Sequence, residues 1–168
     1  MAKPDVVDQL PEHVASLRRY ALVLTRNRED AEDLVQECLV RAIAAADTWR
    51  PGSDLRVWLF RILHNLHVSG LRKQKVRREA TLVLPEAADG GQHARLELQQ
   101  TLRALDTLPE EQRQPIILVA LQDMSYADAA ASLDVPIGTF MSRLGRGRAA
   151  MRRIVNGLAN AKKIRLVA

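Results

Sequence analysis

Thr139, Ser142, Arg143 and Arg146 recur at intervals of three and four within SYADAAASLDVPIGTFMSRLGRGRAAMRR, residues 125–153. Hydroxyls and guanidinium forks aligned on one helix can hydrogen-bond base edges and pair with phosphates, which is the chemistry of duplex recognition. Arg148, Arg152 and Arg153 extend the row, and residues 143–153 contain five arginines and no acid. A merely solvated helix face usually mixes charge signs, so this row favours a polyanionic partner over the plain alternative of a helical hairpin with a basic surface.

Such side chains need a rigid mount, and the flanking residues supply one. Ser125 is placed to cap a first short helix, and Asp128 three residues later completes a capping-box pattern. Asp134-Val135-Pro136 breaks that helix, because Asp tolerates a left-handed turn and Pro136 disfavours the α region at Val135. Gly138 and Thr139 open a second helix on which Phe140, Leu144, Gly147 and Met151 share an apolar face. The pattern predicts a helix-turn-helix whose polar, cationic second helix suits a DNA major groove. Gly145 and Gly147, inside that second helix, are expected to permit close packing or bending.

A second group of polar residues lies in the other half. Asp33, Gln36 and Glu37 share a helix face at offsets of three and four and form an acidic patch in a chain whose ends are basic. Such a patch repels DNA and suits a basic protein surface. Further along, Asn65 can hydrogen-bond a base edge and Arg61 can hold backbone phosphates, and RKQKVRR, residues 72–78, is basic at five of seven positions. His64 and His67 have a spacing able to seat a metal, but no acid or cysteine stands close enough to complete a shell, and no metal or cofactor is expected. Phosphate-cradling glycine loops, nucleophile elbows and metalloprotease helices are likewise missing from the sequence, so the expected activity is recognition and not catalysis.

The chain as a whole fits these sites. It has 168 residues, a formal net charge of +5, 47% hydrophobic residues and 4% aromatics, the composition of a packed helical protein and not of a disordered basic tail. Both ends carry the basic excess and residues 80–94 are slightly acidic. Cys38 is the only cysteine, so no intrachain disulfide forms, and with no apolar signal core or spanning run a cytoplasmic setting is expected. Apolar spacing predicts helices over residues 11–27, 29–49 and 55–78, the second burying Leu34, Cys38, Leu39 and Ala42 and the third Trp58, Leu59, Ile62 and Leu66. Ser53 or Asp54 caps the third. Helical periodicity lapses at Pro85, Gly90 and Gly91, resumes at Leu96 and runs on to the helix-turn-helix; residues 157–168 show no clear assignment. The expectation is an all-α protein of two small helical domains, 1–79 and 95–168, joined by a flexible linker at 80–94.

DAEDLVQE (30–37), WLFRILHNLHVSGLRK (58–73) and the stretch from LPEEQRQPIIL to SRLGRGR (108–148) together resemble bacterial sigma factors of the minimal, two-domain extracytoplasmic-function (ECF) type, across residues 10–155. The resemblance implies that Asp33, Gln36 and Glu37 dock on the clamp helices of the largest subunit of core RNA polymerase. It implies that residues 48–57 with Arg61, His64, Asn65, Arg72 and Lys73 engage the −10 element, and that Thr139, Ser142, Arg143 and Arg146 read the −35 element. It also implies contact of the second domain with the flap of the second polymerase subunit, and control by an anti-sigma factor. Arg148 is open to an alternative role, pairing inward with an acid.

This chain departs from the family pattern at several positions. Ala129 stands where a large aliphatic is common, Phe140 where valine is, Asp134 where glycine is usual, and Met141 where lysine is frequent, removing one phosphate contact. Ser69 and His64 replace a common aspartate and arginine, which bears on −10 preference. Two rival readings are a conventional helix-turn-helix repressor or activator that dimerises through its first half, and a sigma mimic that only titrates an anti-sigma factor. The first leaves DAEDLVQE unused, and the second has no need of RKQKVRR or the arginine row.

Overall fold

The computed structural model describes residues 6–73 and 92–167, with side chains described for 6–70 and 96–157. Its helices are α1 (Val6–Thr25), α2 (Arg28–Ala44), α3 (Leu55–Lys73), α4 (Gln92–Asp106), α5 (Glu110–Gln122), α6 (Tyr126–Ser132) and α7 (Ile137–Val167), with a 3-10 turn at Ala46–Thr48. No strand occurs among the described residues, so the all-α expectation holds.

Local chemistry accounts for most boundaries. The Asn27 side chain accepts from the backbone N–H groups of Glu29 (2.8 Å) and Asp30 (3.2 Å) and starts α2, whose first-turn acids also suit the helix dipole. Asp54, and not Ser53, caps α3: its Oδ1 accepts from the Arg56 N–H at 2.8 Å, while the Ser53 hydroxyl donates to the Arg50 carbonyl. Ser125 Oγ accepts from the Asp128 N–H at 3.1 Å and donates to Asp128 Oδ2 at 2.6 Å, fixing the start of α6.

Four boundaries differ from the sequence expectation. α1 begins at Val6, not residue 11, because Val6 and Leu10 are buried and reward the extra turn despite the intrahelical bond lost at Pro11. α2 stops at Ala44 and the chain tightens into the 3-10 turn before the buried Trp49. α4 starts at Gln92, inside the expected linker, and residues 74–91, which hold the rest of that linker and most of RKQKVRR, lie outside the described residues. The unassigned tail continues α7 as far as Val167.

Leu17, Tyr20 and Ala21 of α1, Val35 and Cys38 of α2 and Leu59, Phe60 and Leu63 of α3 form the first core, with the Tyr20 and Phe60 rings stacked at 5.1 Å. The α2 stripe runs through Ala31, Val35, Cys38 and Ala42; Leu34 and Leu39 are only partly buried. Ile117 and Leu118 of α5, Ala129 of α6 and Phe140 and Leu144 of α7 form the second core, contiguous with the first. α3 packs on α1 and α2 and also on α6, which is why Phe60 and Leu63 are fully buried in addition to the single stripe expected. Polar contacts cross between the halves. Arg56 donates to the Gln122 carbonyl, Ser132 Oγ lies 3.4 Å from the Val57 carbonyl, and Arg26 pairs with Asp106 at 2.5 Å.

Candidate nucleic-acid interface

α6 and α7 form the expected helix-turn-helix. Asp134 occupies the left-handed region at φ 54°, and the N–H groups of Asp134 and Val135 return to the carbonyls of Ala131 and Ala130 at 3.2 and 3.1 Å. Aspartate is among the few side chains that accept this backbone geometry, so the turn survives without glycine. α7 is then seated against α5 through Gly147, where an added Cβ would lie 2.8 Å from the Gln112 carbonyl oxygen and 2.9 Å from Ile116 Cδ1. Gly145, by contrast, faces open space, so only one of the two glycines serves packing.

With Phe140 and Leu144 buried, the opposite side of α7 faces solvent. Thr139, Ser142 and Arg146 are all exposed there, with Arg152 and Arg153 beyond them, and none of these three arginines has an ion pair with a described residue. Arg143 is different: its side chain is 28% exposed and its Nη2 lies 3.5 Å from Glu111 Oε2 of α5. Arg148 turns toward Tyr126 and not toward an acid, donating to the phenol oxygen at 3.0 Å with its guanidinium 5.8 Å from the ring centre. Tyr126 in turn leans on Phe140, ring centres 6.0 Å apart, so a ring on the first helix steadies a cation on the second. Sequence reasoning missed Tyr126 and Glu111, whose partners lie 22 and 32 positions away.

Asp33, Gln36 and Glu37 are exposed together on α2, and Glu37 accepts from Arg41 at 2.9 Å. The same face continues into Val40 and Ile43, 65% and 50% exposed, so the patch is acidic at one end and apolar at the other. Large apolar residues one turn off the buried stripe were the available signal for that extension. On α3, Arg61 and Asn65 are exposed one turn apart. Arg72 and Lys73 occupy the last turn of α3, and their side chains lie outside the described residues.

His64 points another way. With Glu110, Glu111, Leu133 and Arg143 it lines a crevice between the two halves, and burial, helped by His67, pushes its imidazole down to about 4. At neutral pH it therefore presents an uncharged ring. His67 is buried beside it, Nε2 3.4 Å from Glu110 Oε1. Burial alone would raise the Glu110 carboxyl, but His67 and the Arg113 guanidinium outweigh it and hold the group below its usual range. Among the described residues no group of three potential metal ligands comes together, His64 and His67 included.

The chain thus exposes an acidic and amide face on one half and an arginine-lined helix-turn-helix on the other. Residues 10–64 match the family model described as the Sigma2 domain of PhyR, and residues 98–151 that described as Sigma-70, region 4. The chain is 42% identical over 158 residues to the ECF RNA polymerase sigma factor EcfG of Rhodopseudomonas palustris, covering 88% of this chain and 83% of the relative. Among solved structures it is similar to the sigma factor RpoE of Bartonella quintana, in complex with the anti-sigma factor NepR, with a TM-score of 0.77, 34% identity and coverage of 89% and 95%. It is also similar to CnrH in complex with the cytosolic domain of CnrY, with a TM-score of 0.70, 30% identity and coverage of 90% and 88%. This chain belongs to the ECF RNA polymerase sigma factor family.

Proposed function

We propose that this protein binds core RNA polymerase and directs it to promoters, its first half engaging the −10 element and its second half the −35 element. The observation that carries the reading is the pairing of two unlike exposed surfaces on one chain: Asp33, Gln36 and Glu37 on α2, and Thr139, Ser142 and Arg146 on α7. An acidic and amide surface is repelled by DNA and complements a basic protein, here the clamp helices of the largest polymerase subunit. The acid-free face of α7 complements a duplex. Arg61 and Asn65, with Arg72 and Lys73, would hold the −10 strand; His64, expected there from the resemblance, is turned into the crevice beside Glu110 and would not. Arg143 would join Arg146 at the −35 element once released from Glu111. The segment LPEEQRQPIIL, at the start of the second half, would meet the flap of the second subunit. The protein acts as an initiation factor in the cytoplasm and the polymerase supplies the catalysis; no described helix is long and apolar enough to cross a membrane.

Control by an anti-sigma factor is part of the proposal. It is supported by the similar structure of the sigma factor RpoE in complex with the anti-sigma factor NepR. A second reading is a mimic that titrates an anti-sigma factor, since residues 10–64 match the Sigma2 domain of PhyR and PhyR is itself named an anti-anti-sigma factor. The exposed arginines of α7 favour the initiation factor.

Transcription in vitro separates the two. Purified protein with core polymerase should initiate from specific members of a promoter library, and Gln36→Ala and Glu37→Lys should abolish that by weakening core binding. A protein that never recruits polymerase, with both variants indistinguishable from it, is no sigma factor.

A further inference from the structure

Ile137 and Met141 are 50% and 53% exposed on the first two turns of α7, one helical turn apart on the same side. The packing of this helix is already satisfied by Phe140, Leu144 and Gly147, so neither side chain is needed for the core. Around them stand Thr139, Ser142 and Arg146, all exposed, and no acid occurs from residue 137 to residue 157. Two large apolar side chains left in water within such a cationic field call for a ligand that is polyanionic overall and apolar at discrete points.

We propose that Ile137 and Met141 read the methyl groups of two thymines in the major groove of the −35 duplex, an assignment that rests on the DNA-reading role of α7 proposed above. Thymine is the one base that offers an apolar group in the major groove, and side chains near the start of a recognition helix are those that reach base edges. Four residues of helix advance about 6 Å, close to two base-pair steps at roughly 3.4 Å each, so the two methyls lie within about two steps of each other. Met141 thus exchanges the phosphate contact of a lysine for base discrimination. Its unbranched thioether adapts to a methyl more easily than a β-branched side chain would. Arg146, Arg152 and Arg153 supply the phosphate attraction that holds the helix in place.

Deoxyuridine tests this directly, because it differs from thymidine only by that methyl. On a promoter that the full chain and core polymerase transcribe, each thymine of the −35 element is replaced in turn by deoxyuridine. Initiation should fall about fourfold, the effect of one buried methyl, at two positions no more than about two steps apart. Met141→Ala and the length-preserving Met141→Gln should each erase the sensitivity at one position, and Ile137→Ala at the other, with melting temperatures unchanged. Native protein that initiates specifically but ignores every deoxyuridine overturns the methyl readout alone. Native protein that initiates from no promoter overturns the underlying DNA-reading assignment as well. Variants that keep the native deoxyuridine sensitivity while losing affinity for an anti-sigma factor would show that these side chains meet protein and not DNA.

Discussion

Arg143 of α7 lies 3.5 Å from Glu111 of α5 and is only 28% exposed, whereas Arg146, one turn further on, is free in solvent. Two arginines indistinguishable in the sequence pattern would therefore enter the proposed −35 contact from different states. Arg146→Ala should reduce −35-dependent initiation without changing thermal stability. Arg143→Ala should reduce it too, leave core binding intact, and cost up to about 1 kcal/mol of stability, since Glu111 is half exposed and solvent screens the pair. Glu111→Gln should strengthen binding to the isolated −35 duplex, because Arg143 no longer has to leave a carboxylate. Equal duplex affinity for native protein and Glu111→Gln would show that the pair does not compete with DNA.

Gly147 and Gly145 provide a matched pair of stability tests. Gly147→Ala brings a Cβ to within 3 Å of the Gln112 carbonyl and Ile116. Overpacking costs about 1–3 kcal/mol against a helix-propensity gain of roughly 1 kcal/mol, so a net loss of up to about 2 kcal/mol is expected. Gly145→Ala meets nothing and should stabilise by about 0.5–1 kcal/mol. Thermal melts of the two variants should move in opposite directions.

Stability should fall on mild acidification. The His64 imidazole sits at about 4 in the fold against 6.5 in the unfolded chain, so between those values the unfolded state binds more protons and is favoured as pH drops. For His64 alone the loss between pH 8 and pH 5 is about 2 kcal/mol. His13, also lowered by burial, adds to it in the same direction. Urea midpoints at several pH values, for native protein and His64→Asn, check this: the variant's curve should be flatter, and parallel curves would rule His64 out.

Arg56 joins the two halves by donating to the Gln122 carbonyl at the end of α5, where Asp123 turns left-handed. A charged donor on an otherwise unpaired helix-terminal carbonyl contributes about 1.5–3 kcal/mol. Arg56→Met keeps an unbranched side chain but removes the donor, together with the guanidinium that lies 5.6 Å from the Phe60 ring centre. Small-angle scattering should show a larger radius for this variant, with helix content by circular dichroism unchanged.

Where the sequence was informative, it was so because the controlling physics is local. Ser125 with Asp128, and Asp134 with Pro136, act within a few residues of themselves and announced the helix-turn-helix. The i, i+3 and i, i+4 rule placed Asp33, Gln36 and Glu37 on one exposed face. It failed at α3, where a single apolar stripe was expected, because Phe60 and Leu63 are buried in a helix that packs on more than one side. It also misplaced the start of α1, since nothing before Pro11 shows that Val6 and Leu10 will find a core.

The sequence by itself determined the helices, the cationic recognition element, the acidic face opposite in character, and the kinship with sigma factors that their order implies. Only the tertiary structure decided which polar side chains are free to act. Glu111 detains Arg143, Tyr126 steadies Arg148, Gln112 demands a glycine at 147, and the crevice beside Glu110 turns His64 inward and uncharged. Each of these depends on residues far apart in the chain being brought together by the burial of α3, α5 and α7, and no local propensity or periodicity encodes such a meeting.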